Sequence, residues 1–107
     1  MQNVRVIAHK TGKILMNQNF ITYINCLTNT AQNADGFIKS TSYRESKPNL
    51  KTQVTVSISD WVNSEYWEKW IISKERKNIH KEFKDLIISE QFTVLVKNKN
   101  RNDLFLL

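Results

Sequence analysis

His80 and three tryptophans, Trp61, Trp67 and Trp70, stand within one stretch of the chain, Ser59 to Phe83. An imidazole that titrates near neutral pH can ligate a metal or pass a proton. Indole rings can stack against a flat apolar molecule. Tyr23, Asn25 and Asn29, on an uncharged segment upstream, add hydrogen-bonding groups. The same residues also have plainer roles: tryptophans as core, Asn25 and Asn29 as a solvated helix face, His80 as a half-buried surface group. A lone histidine does not define a metal site, and no second His, Cys or carboxylate has ligand spacing to His80. Haem iron is the exception, because one protein ligand suffices for it. Cys26, the single cysteine, sits between Ile24 and Leu27 and reads as an apolar thiol, with no histidine nearby to activate it. The sequence has no Gly-rich phosphate loop, no nucleophile elbow, no catalytic carboxylate pair and no zinc pattern, which speaks against hydrolase and nucleotide-dependent chemistry.

The elements that must carry these groups are few. A chain of 107 residues is one domain's length, enough for a modest core. With 40% hydrophobic and 10% aromatic residues it is a folding sequence. Two glycines and one proline leave room for long elements and few turns. One cysteine permits no internal disulfide, which fits a reducing compartment. No signal-peptide pattern opens the chain, and no apolar run reaches the ~20 residues of a membrane span, so a cytoplasmic protein is expected. The formal charge of +6 raises nucleic acid as a partner. The charges nevertheless mix signs from Glu65 to Asp85, as on a solvated helix, and lysine outnumbers arginine twelve to four, which disfavours base readout.

Val4–Ala8 reads as a strand, ended by the polar run His9 to Lys13. From Ile14 to Ala34 there is no charge, and Phe20, Ile24, Leu27 and Ala31 recur at helical spacing. Asn17 or Asn19 is the expected cap, and Gly36 the residue able to take positive φ at the far end. Phe37–Arg44 and Gln53–Ser59 read as two strands of a hairpin. In the second, Val54, Val56 and Ile58 face one way and Thr55, Ser57 and Ser59 the other. Asn63 or Ser64 can cap a short helix, and Ser73, followed by Glu75, a second one reaching about Ile87, with Ile79, Phe83, Leu86 and Ile87 inward. Phe92–Lys97 is the last strand. Residues 98–107 read as a polar linker and an apolar tail, Leu104 to Leu107, expected to pack on a partner subunit. The order β-α-β-β-α-β, with its second helix broken, is the ferredoxin-like split βαβ arrangement: α+β, an antiparallel sheet with helices on one face. The other face needs a cover, and a C2 homodimer would supply it.

Asp35-Gly36-Phe37 closing the first helix, the Thr/Val strand, Trp61 and the segment from Trp70 to His80 together resemble the antibiotic biosynthesis monooxygenase (ABM) domain, over roughly residues 3–97. The resemblance implies a dimeric α+β barrel. For some members it implies oxidation of polycyclic aromatic molecules with O2 and without metal or flavin; for others, binding and opening of haem. In the haem-degrading members a helix histidine ligates iron, a tryptophan about ten residues earlier contacts the porphyrin, and an asparagine near the end of the first strand completes the site. Trp70 and His80 match the first two by spacing. The third place reads Ala8-His9-Lys10, with His9 as the polar group and no asparagine.

In one unbroken helix, ten residues turn ~1000° and rise ~15 Å, leaving Trp70 and His80 ~80° apart around the axis. They can line a common pocket only if the helix breaks between them, as the Ile72-Ser73 position allows. The leading expectation is therefore a homodimeric ABM-like monooxygenase, one domain over 1–97. Its apolar pocket would be lined by Trp70, His80, Phe37 and Tyr23, with Trp67 and His9 also binding the substrate. His80 would be the proton shuttle, or the iron ligand if haem binds, and no cofactor would be required. The alternatives are a non-catalytic dimer of the same fold that binds a small aromatic ligand, and a basic nucleic-acid-associated protein.

Overall fold

The computed structural model describes residues 2–46 and 50–97. The expected tail Leu104 to Leu107 and the 98–107 linker lie outside the described residues, as does most of the turn around Pro48. Four antiparallel strands form one sheet in the order β2-β3-β1-β4. They are β1 (Val4–Lys13), β2 (Phe37–Arg44), β3 (Thr52–Trp61) and β4 (Ile87–Val96). Three helices, α1 (Asn17–Ala31), α2 (Ser64–Ile71) and α3 (Lys74–Phe83), pack on one side. This is the expected α+β ferredoxin-like layout.

β1 is longer than the apolar run at its start. The polar residues from His9 to Lys13 do not end it; they continue in register with β3 as far as Lys13↔Thr52. At the other end of the chain, α3 stops at Phe83, a 3₁₀ turn covers Lys84–Leu86, and Ile87 already begins β4. The expectation of helix to about Ile87 and strand from Phe92 therefore gives way to an earlier strand. The physical reason is pairing: Lys10 lies opposite Glu90 and Ala8 opposite Phe92, so polar inward positions on two strands satisfy each other.

Strand alternation fixes what each face carries. Val4, Val6, Ala8 and Lys10 are buried against the helices, while Arg5 and His9 between them are exposed. Register puts Trp61, Ser59 and Ser57 of β3 on that same inner side. Val54, Val56 and Ile58 therefore belong to the open face, with Ile7 of β1. Two linked clusters fill the space under the helices. Phe20, Tyr23, Ile24, Leu27 and Leu86 form one, with Ile79 and Phe83 against it. Val4, Val6, Ala31 and Trp61 form the other, with Phe37, Trp67 and Trp70.

The helix ends follow their capping chemistry. The Asn63 side chain accepts from the Tyr66 N–H, and the Ser73 hydroxyl from the Arg76 N–H, so α2 and α3 are separately capped and the chain breaks at Ile72-Ser73. At α1 the cap position falls to Met16, which gives no side-chain hydrogen bond, in place of the expected Asn17 or Asn19. Gly36 turns the chain into β2 at φ 79°. A Cβ there would overlap the Tyr66 ring of α2. Gly36→Ala is expected to cost roughly 1–2 kcal/mol for the left-handed backbone alone, and more through Tyr66. A thermal melt should show Tm lower by about 10 °C; an unchanged Tm would contradict the close approach of Gly36 and α2.

Candidate functional site

A cavity of ≈ 60 Å³ lies between the sheet and the helices. Its aromatic wall is Phe37, Trp61, Trp67, Trp70 and Phe92. Trp61 is held by three contacts: its indole N–H donates to the Ser59 hydroxyl at 3.0 Å, its ring meets Phe37 edge-on at 5.4 Å, and it lies nearly parallel to Trp70 at 6.4 Å. Trp67 stands edge-on to Phe92 at 5.8 Å. Ser40, Ser57 and Ser59 line the sheet side, and Lys10 and Arg76 complete the lining. The polar parity of β3 thus serves the cavity.

Beside Lys10 and Arg76 lies Glu90, with only 9% of its side chain exposed. The Lys10 ammonium donates to Glu90 Oε2. The Tyr23 hydroxyl donates to the same oxygen at 2.8 Å. Arg76 Nη2 is 3.5 Å, and His80 Nδ1 3.0 Å, from Glu90 Oε1. One carboxylate therefore ties together β1, α1, α3 and β4. Burial pushes the Glu90 carboxyl up, but Lys10, the Tyr23 hydrogen bond and Arg76 together pull it further down, so it sits below the usual carboxylate range. Burial pulls the Lys10 ammonium down by more than Glu90 holds it up, and Arg76 lowers it further. The Tyr23 phenol is raised, by burial first and then by the Glu90 charge, and stays protonated. Among the described residues no group of three or more His, Cys, Asp or Glu could hold a metal ion.

No family model and no curated sequence matches the chain. Solved structures do. A conserved protein from Methanosarcina mazei Go1 superposes with TM-score 0.77 at 18% identity, over 92% of this chain and 95% of that one. SnoaB, a cofactor-independent oxygenase from Streptomyces nogalater, superposes with TM-score 0.77 at 11% identity, over 94% and 98%. A Nitrosomonas europaea protein provisionally assigned as an antibiotic biosynthesis monooxygenase superposes with TM-score 0.76 at 6% identity, over 92% of each. The chain has the ABM fold.

On this ABM fold the expected site residues divide. Phe37, Trp67 and Trp70 line the cavity. Tyr23 and His80 do not; they meet Glu90 behind it, 3.5 Å from each other through the Tyr23 hydroxyl and His80 Nδ1. His80 keeps 41% of its side chain exposed. His9 is on the open face of the sheet, where strand parity turns it away from the cavity. Lys10, Arg76, Glu90 and Phe92 were not expected there. One signal was available: Lys10 continues the parity of Val4, Val6 and Ala8, and Glu90 that of Phe92, Val94 and Val96.

His80, the expected iron ligand if haem binds, is not among the residues lining the cavity, and its Nδ1 is 3.0 Å from Glu90 Oε1. Haemin titration should give the same Soret band with the wild type and with His80→Ala.

Because the folded pKa of Glu90 lies below its unfolded value of about 4.3, its contribution to stability is present above that pH and is lost as pH falls through the folded value. Glu90→Gln leaves Lys10 and Arg76 without their anion and should cost about 3–5 kcal/mol at pH 7 by urea unfolding. The gap between wild type and variant should narrow below pH ~4.3; a gap constant from pH 7 to 3 would rule out an ionised Glu90 as the partner.

Proposed function

We propose that this protein is a monooxygenase that takes a planar aromatic molecule into the cavity between sheet and helices and needs no cofactor. The observation that carries the reading is the aromatic wall of Phe37, Trp61, Trp67, Trp70 and Phe92 closing on two internal cations, Lys10 and Arg76. A hydrocarbon cavity that holds benzene measures roughly 150 Å³. The present ≈ 60 Å³ therefore admits a ring only as its wall parts. The wall that can part is α2. It carries the half-buried Trp67 and Trp70 and is separately capped from α3 at Ser73.

The chemistry asks little of a protein when the substrate supplies the electrons. A molecule with an acidic ring methylene, once deprotonated, can reduce dioxygen itself. One methylene and one dioxygen give one ring carbonyl and one water. The methylene carbon loses both hydrogens and is oxidised; one oxygen atom enters the ring and the other leaves as water. The protein then has to seat the ring, keep bulk water out and handle one proton. SnoaB, of the same fold, is described as cofactor-independent, which supports that economy. For the proton, His80 reaches solvent and touches Glu90, and Glu90 touches Lys10 at the cavity. We assign His80 the role of proton relay through this carboxylate and Trp70 the role of ring platform.

A homodimer belongs to the same reading. Ile7, Val56, Ile58 and the 43%-exposed Leu95 sit on the sheet face that no helix covers. A second copy pressing the same face would cover it in an isologous interface. The Arg5–Asp60 ion pair lies toward the end of that face and leaves its aliphatic centre free for such contact.

Oxygen consumption should follow addition of a tricyclic anthrone, and Trp70→Ala should lower kcat/KM by about tenfold, the loss of one stacking platform. Anthrone binding without oxygen uptake would instead make the chain a ligand-binding module. Light scattering should give a dimer, and Ile58→Lys a monomer; a monomeric wild type would reject the paired sheets.

A further inference from the structure

Lys10 and Arg76 are both buried, and both line the cavity. One carboxylate, Glu90, contacts both. Two cations on one anion leave a positive charge over, in a place largely removed from water, and such a charge is costly unless paired. The partition of Glu90 is unequal. Lys10 and Tyr23 share Oε2, while Arg76 has a single long contact, 3.5 Å, to Oε1, which His80 also approaches. The other guanidinium N–H groups of Arg76 have no such bond. Among the described residues no side-chain nitrogen or oxygen is both buried and unpartnered. Those N–H groups therefore open on accessible space, and Arg76 is a lining residue of the cavity. Phe92 spaces the two cations: its ring centroid is 5.2 Å from Lys10 Nζ and 5.5 Å from Arg76 Cζ. Trp67 meets the edge of the same ring. A flat molecule resting between Trp67, Trp70 and Phe37 thus has its end aimed at the two cations.

We infer that the ligand of this cavity is an aromatic acid or acidic phenol, whose anionic oxygen binds between the Lys10 ammonium and the Arg76 guanidinium. This rests on the aromatic cavity proposed above and adds the charge of its occupant. Charge-assisted hydrogen bonds to a carboxylate or phenolate are about twice as strong as neutral ones. A fork of guanidinium donors suits two oxygens on one carbon. Ser57 and Ser59, on the sheet side, give neutral hydroxyls that tolerate such an anion.

The test compares 1-hydroxy-2-naphthoate with its methyl ester, two molecules of one ring system that differ in charge. Binding is followed by tryptophan fluorescence on the full chain. The acid should bind the wild type at least about tenfold more tightly than the ester, a gap of ~1.4 kcal/mol. Arg76→Gln should bring the two affinities together by weakening the acid alone. Arg76→Lys, which keeps the charge, should retain part of the preference and confirms that the effect follows charge. Equal affinity of wild type for acid and ester would overturn the anion assignment and leave the aromatic cavity standing. Failure of both to bind would overturn the aromatic cavity and the anion with it. An acid preference that survives in folded Arg76→Gln and Lys10→Met alike would also overturn the assignment.

Discussion

Glu90 is a carboxylate placed where water reaches poorly, and four side chains from three other elements converge on it. Its ionisation is what makes the rest compatible. Lys10 on the central strand and Arg76 on α3 both point into the layer between sheet and helices. Each would carry an uncompensated charge if Glu90 were apolar. A hydrophobic replacement of all three would pack at least as well, since buried ion groups seldom add net stability. Their presence therefore speaks of something other than holding the sheet to the helices. The aliphatic and aromatic clusters around Phe20, Tyr23 and Trp61 already do that. Tyr23 shows the division of labour within a single residue: its ring is core, fully buried, and its hydroxyl serves Glu90.

Much of the fold was legible in the sequence, because most of it follows from one-dimensional rules. The uncharged helix announces itself by Phe20, Ile24, Leu27 and Ala31. The caps Asn63 and Ser73 mark two helix starts. Gly36 marks the one left-handed residue among those described. The inner end of the cavity was hidden because hydrophobic periodicity cannot register a polar residue that faces inward with a partner. His9 to Lys13 looked like a loop and Ser89 to Gln91 like a connection. Only pairing of one run with the other, Lys10 against Glu90, makes strand of both. A partner found across 80 residues of chain is not visible to any local window. Arg76 was hidden for a related reason: it stands among exposed charges on α3, yet its side chain turns inward to that same carboxylate.

The sheet shows a second inversion. An apolar and a polar parity in one strand invite the assumption that the apolar one faces the helices. In β3 the apolar parity, Val54, Val56 and Ile58, is on the open face, and the serines look inward. Small hydroxylated side chains under the helices leave space, and the cavity occupies it. Valines there would fill it. The same choice leaves a branched aliphatic surface outside, which in water would be unfavourable at roughly 25 cal/mol for each Å² left uncovered. One strand pattern thus produces both the cavity and the open aliphatic face. The two properties are coupled, so a substitution that shifts the strand by one residue would exchange them and remove both.

The break at Ile72-Ser73 sharpens what Trp70 and His80 can do. Spacing alone allowed them to converge on one pocket once the helix was interrupted. The interruption instead sets them on two sides of a polar partition. Trp70, near the end of α2, faces the cavity; His80 sits near the end of α3, half in solvent, and reaches only Glu90 and the Tyr23 hydroxyl. A histidine so placed cannot touch a ring bound against Trp70. Its link to the cavity runs through Glu90, which it meets at 3.0 Å. The aromatic platform and the titratable group are thereby separated by one carboxylate. The charged groups that line the cavity itself, Lys10 and Arg76, are both cationic.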